Sequence, residues 1–237
     1  MTATLVATAV PGRPPSRRSR LLVVGAFAGP LFVVTFLVEG ALRDAYDPMR
    51  HPVSSLALGP WAWVQVANFV VTGLLTLVLA AGLRRSLRSA PDPRPGSFWG
   101  PLLVAGWGVG LIGAGVFVTD PVSGYPPGAP AQPAQPSWHG ILHDLVFSLP
   151  AFAALVLACA VMSRAFAARR SRGWAVFSAL TGVAVLVFFV LATAGFSQAP
   201  AFVDTAGLWQ RLSVGVGWLW LTVLALHLHR TAPGRQP

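Results

Sequence analysis

Six apolar stretches of about 20 residues each dominate this chain, and few folds accommodate them. A helix rises about 1.5 Å per residue, so roughly 20 residues cross a hydrocarbon core of about 30 Å. The stretches fall at about 21–42, 61–83, 98–119, 138–162, 174–195 and 208–229. Between them lie segments such as RRSLRSAPDPRPGS, PPGAPAQPAQPS and SRAFAARRSRG, whose Pro, Gly, Ser and Arg end helices. Only 10% of the 237 residues are charged and 54% are hydrophobic, against roughly a quarter charged in soluble domains. The expected fold is all-α: a polytopic membrane protein, a six-helix transmembrane bundle over 21–229. An Arg/Pro-rich tail over 1–20 reads as disordered, and a short tail follows over 230–237. The first stretch is too long for a signal-peptide core and has no small-x-small site behind it, so it reads as an uncleaved span.

Arginine sets the expected orientation. All 17 basic residues are arginine, and 14 of them fall on one side of the six spans. They are Arg13, Arg17, Arg18 and Arg20; Arg84, Arg85, Arg88 and Arg94; Arg164, Arg169, Arg170 and Arg172; and Arg230 and Arg235. Arg43, Arg50 and Arg211 remain on the other side. The positive-inside rule places both termini in the cytoplasm and the bundle in the cytoplasmic (cell) membrane. Scattered between apolar runs, the arginines form no patch for nucleic acid despite a formal charge of +10, so the expected partner is the lipid bilayer. Glu39, Asp44, Asp47, Asp120, Asp144 and Asp204 gather with His51, His139 and His143 at the outer ends, while Asp92 alone is cytoplasmic. Any chemistry is expected at that outer face.

The stretch SWHGILHDLVF, residues 137–147, opens the fourth span. Ser137 suits an N-cap, and His139 and His143, four residues apart, share a helix face and suit a metal held from one turn. Further zinc ligands would come from Asp120 or His51, with Glu39 also in reach. His143 and Asp144 lie one to two turns inside the span, where an ionisable group costs a few kcal/mol unless it faces the bundle interior. They read as a buried polar network, with Arg211 in LWQRLSVG as the natural partner of Asp144. The first outer loop, RDAYDPMRHPVSSLALGPWAWVQVANF, offers His51, Ser54 and Ser55, then Gln65 and Asn68 on the second span. Its serines suit a ligand, a turn, or a nucleophile with His51 or His139 as base.

Architectural signals accompany these. Trp61, Trp63, Trp99, Trp138, Trp174 and Trp209 mark span ends as an aromatic belt would, whereas Trp107, Trp218 and Trp220 lie deeper and should pack between helices. Small residues in GWGVGLIGAG, among them Gly106, Gly110 and Ala114, let the third span approach a neighbour closely. Cys159, the one cysteine, forms no intramolecular disulfide and reads as a packing residue. His227 and His229 stand at the opposite, cytoplasmic end. A loose match of WVQVANFVVTG to WAVFSALTGVA would make the halves inverted repeats, the sign of a transporter.

The segments DPMRHPVSSLALGPWAWVQVANFVVTGLL, FVTDP…GYPPG…HGILHDL and GLWQRLSVGVGW resemble the bacterial membrane family known as domain of unknown function 998, over about 21–229. That resemblance implies a multi-span membrane protein and no particular reaction. The Pro52-Val53-Ser54 loop is similar to the outer loop of the damage-regulated autophagy modulator family, also six-span. The serine, aspartate and HxxxH elements are similar to the CREST membrane hydrolases, which implies a zinc ion. The resulting expectation is an outward-facing polar site of His51, Ser54, Asn68, Asp120, His139, His143, Asp144 and Arg211 that binds a lipid headgroup or small polar ligand. Two alternatives stay open: a metal-assisted hydrolase using His139, His143 and Asp120 or His51, and a small-molecule or proton-coupled transporter.

Overall fold

The computed structural model describes residues 17–88 and 96–231. Most of both tails, with Arg13 and Arg235, and the segment holding Asp92 and Arg94 lie outside the described residues. The helices are α1 (Arg17–Ala26), α2 (Ala28–Leu42), α3 (Ala62–Arg88), α4 (Gly96–Val116), α5 (Trp138–Ile141), α6 (Leu149–Ala168), α7 (Arg172–Phe196) and α8 (Ala206–Arg230). A 3-10 turn at Val53–Ala57 sits in the first loop, and a π-helical segment, Leu142–Ser148, joins α5 to α6. Six runs are long and apolar enough to cross a membrane: Ser19–Leu42, Ala62–Arg88, Gly96–Val116, Trp138–Ala168, Arg172–Phe196 and Val203–Arg230. They match the six expected stretches. The second and fourth extend past their apolar cores to Arg88 and Ala168, because arginine and alanine propagate a helix well.

Prolines explain the two irregular spans. Pro30 has no N–H to offer the Ala26 carbonyl one turn back, and the first span breaks at Phe27. The Thr222 hydroxyl on α8 donates to that carbonyl instead, at 3.4 Å. Pro150 has the same defect in the fourth span. The turn before it widens, so that Leu149 N–H reaches back five residues to the Asp144 carbonyl.

Each span packs against its neighbours in the chain, and the sixth returns to pack on the first, so the helices form a closed ring. Both termini therefore share one end of the bundle, where Ser19 meets His229 at 2.7 Å. Small residues let the ring close tightly. A Cβ added to Gly110 would run into Ala151, and one added to Gly113 into the Phe147 ring, so the small face of α4 is the seam with the fourth span.

An aromatic layer crosses the ring, with one side chain from each span. Phe69 meets Phe32 at 5.4 Å between ring centroids, Phe32 meets Trp218 at 5.7 Å and Trp218 meets Trp107 at 5.8 Å. Trp107 then meets Phe152 at 5.2 Å, which lies 4.3 Å from Phe189. Trp107, Trp218 and Trp220 are buried as expected, while Trp61, Trp63, Trp99 and Trp138 are exposed at span ends. Cys159 is buried in the packing.

Candidate functional site

Between this aromatic layer and the end of the bundle opposite the termini lies a cavity of about 530 Å³. Phe32, Phe69, Trp107, Phe152 and Phe189 line its floor. Ser54, Asp120, Gln132, His143, Asp144, Ser197 and Gln210 line its upper part, and among the described residues no arginine does. One wall is the π-helical segment and the start of α6, with Asp144, Leu145, Ser148 and Leu149; the facing wall is the end of α7, with Ala192, Thr193, Phe196 and Ser197. Leu145 and Leu149 line the cavity while remaining exposed, so it runs out between α6 and α7 to the apolar side of the bundle. Below, Phe152 and Phe189 close that gap.

Local chemistry explains how the π-helical wall is held. Asp120, just beyond α4, accepts Ser137 N–H at 2.8 Å and the Ser137 hydroxyl at 2.6 Å, while Ser137 Oγ caps Gly140 N–H at 3.0 Å. A Cβ at Gly140 would collide with the Asp120 carboxylate, so only glycine permits this approach. His139 Nδ1 lies 2.9 Å from Ser137 Oγ and 3.0 Å from the Val118 carbonyl, beside the cavity rather than in it. His143 is only 3% exposed, and its Nδ1–H is directed at the carbonyls of Phe117 (2.7 Å) and Ala114 (3.0 Å), which end α4 and have no helical partner of their own. A carbonyl only accepts, so the proton sits on Nδ1 and Nε2 is left as the polar edge of a ring that lines the cavity.

The structure separates the eight expected residues. Ser54, Asp120, His143 and Asp144 line the cavity, and His139 borders it. Asn68 does not join them: it is buried between α2 and α3, where its amide donates to the Phe32 carbonyl and to Gln65 Oε1, each at 3.2 Å. His51 and Arg211 belong to a second assembly, a strut that fastens the first loop to α8. Arg211 donates to the carbonyls of His51 and Gly207, each at 3.0 Å, and to the Tyr46 hydroxyl, which itself donates to the Pro52 carbonyl at 2.9 Å. The expected Arg211–Asp144 pair is therefore corrected, because the two terminal nitrogens of the guanidinium are engaged by the first loop and by Gly207. Burial pushes the Tyr46 phenol up to about 12, so it remains a neutral donor. Burial likewise pushes His51 below the usual imidazole range, with Ser123 backbone and Asp47 acting the other way.

One strut residue, Arg43, was not among the expected site residues. Arg43 is ion-paired with Glu39 one turn earlier and donates to the carbonyls of Leu56 (3.0 Å) and Leu58 (2.8 Å), so it ties the 3-10 turn to α2. An i, i+4 Glu–Arg pair at a span end was the available signal. Gln132 and Gln210 were also missed, since each sits in the cavity through long-range packing alone: Gln132 donates to the Phe196 carbonyl and Gln210 accepts Val53 N–H.

The expected zinc set is not assembled. Among the described residues no three His, Cys, Asp or Glu side chains come together to hold a metal. Among the described residues Ser54 has no hydrogen bond to either expected base: His51 Nδ1 accepts Asp47 N–H at 2.9 Å and its ring also bonds the Ser123 backbone, while His139 Nδ1 lies against Ser137. No curated protein and no solved structure matches the chain, so the comparisons return neither the damage-regulated autophagy modulators nor the CREST hydrolases. A family model does: the one described as protein of unknown function (DUF998) matches residues 26–227, and the chain belongs to that family.

Proposed function

We propose that this protein binds an amphipathic ligand, a lipid with its headgroup in the upper cavity and its chain over the aromatic floor. The observation that carries the reading is the cavity itself: polar above, aromatic below, and open between α6 and α7 toward the apolar side. A small polar ligand would use the upper part and leave the floor unoccupied, whereas a lipid satisfies both and has a lateral way in. Its mouth faces away from the cytoplasm, as the excess of arginine at the opposite end supports. The test uses the full chain in vesicles carrying a phospholipid with a photoactivatable group in its upper acyl chain. Label should concentrate on 143–152 and 189–197, and most of it should disappear in Thr193→Trp, which fills the gap. Label spread evenly over the exposed faces of all six spans would overturn the reading.

A further inference from the structure

The polar groups around the cavity differ in whether they are already used. Asp120 receives two bonds from Ser137, and the Gln132 and Gln210 amides each bond the backbone. Asp144 lies near the end of a membrane-spanning run and, unlike the buried network expected for it, its side chain is exposed; among the described residues its carboxylate has no hydrogen bond and no ion pair. Among the described residues no arginine lines the cavity to answer that carboxylate. Next to it, His143 is 97% buried, with Nδ1 committed to α4 and Nε2 without a hydrogen bond among the described residues. In the neutral ring that nitrogen accepts. An unpaired carboxylate and an imidazole acceptor thus meet at the top of a cavity whose floor is aromatic. An anionic headgroup would meet only like charge there, while a positively charged donor would complete both.

Resting on the amphipath reading, we infer that the ligand's head bears an ammonium group, seated between the Asp144 carboxylate and Nε2 of His143. The test is competition against the photoactivatable lipid by three additives of one chain length: hexadecylamine, hexadecanol and hexadecanoate, with ethanolamine as a chainless amine. Hexadecylamine should compete about tenfold better than the alcohol or the acid, as one charge-assisted bond provides. Asp144→Asn should erase that advantage while leaving thermal stability in place. His143→Asn, whose amide still donates to the α4 carbonyls but loses the Nε2 acceptor, should weaken the preference without unfolding the protein. Equal competition by all three long-chain additives would overturn the ammonium assignment and leave the amphipath reading standing. Ethanolamine competing as well as hexadecylamine would keep the ammonium and overturn the lipid. Absence of any specific label would remove both.

Discussion

Two polar assemblies occupy the same end of this bundle, and they are built in opposite ways. In the strut, Tyr46 and Arg211 direct their donors at backbone carbonyls of the first loop, and the rings of Tyr46, His51 and Tyr125 pack around them at 5.1 to 5.6 Å. Its work is internal, and the atoms it leaves unpaired, Arg211 Nε, Glu39 Oε2 and Ser55 Oγ, are sealed inside the protein. The cavity mouth also has scaffolding, with Asp120 and Ser137 holding α5 in place. It nonetheless leaves Asp144 and one edge of His143 facing open volume. Both regions contain a histidine, a charged residue and hydroxyls. What separates them is access rather than composition: the unpaired atoms of the strut are enclosed by protein, whereas those at the mouth line a cavity that a ligand can enter.

Mutation should expose that contrast most sharply at Arg211. Arg211→Ala strips donors from the His51 carbonyl and from Tyr46, leaves the first loop undocked, and should lower unfolding free energy by about 3 kcal/mol in detergent. An equally stable variant would show that the loop holds itself. At the mouth, His143→Ala orphans the carbonyls of Ala114 and Phe117 and should cost about 2 kcal/mol. His143→Asn should recover most of that in the same thermal melt; failure to recover would mean the ring's bulk against Phe69, not its N–H, holds the π-helical wall. The smallest effect is the pH response of the strut. Burial holds folded His51 below its ordinary value of 6.5, so the unfolded chain binds the proton more readily. Stability is then fully present above 6.5 and declines as pH falls through and below it. The melting midpoint of wild type should drop between neutral and mildly acidic buffer, and His51→Asn, which keeps an acceptor for Asp47 N–H, should drop less.

Legibility differed between architecture and site for a physical reason. Span positions, buried Trp107 and Trp218, and the small face of α4 all follow from local hydrophobicity and side-chain size, which a single strand of sequence carries. At the site, SWHGILHDLVF announced ionisable groups at the wrong depth for lipid, and His143 and Asp144 do line the cavity. Their partners were not readable. Pairing Arg211 with Asp144 rested on charge and a shared bundle end, but backbone carbonyls of a folded loop carry no mark in the sequence, and they outcompeted the carboxylate. The HxxxH spacing suggested a metal, but His139 on α5 and His143 at the start of the π-helical segment each turn Nδ1 to backbone carbonyls at or just beyond the end of α4.

By itself, then, the sequence determined that this chain is a six-span helical membrane protein with every acid but Asp92 and three of its five histidines toward one end, because transfer of apolar side chains from water and the count of residues per span are local quantities. Only the tertiary structure decided which of those polar residues are spent on each other and which face a cavity. That depends on closure of the ring, on one aromatic from each span meeting in a single layer, and on which carbonyls a folded loop presents. None of these exists until residues far apart in the chain share the same few ångströms.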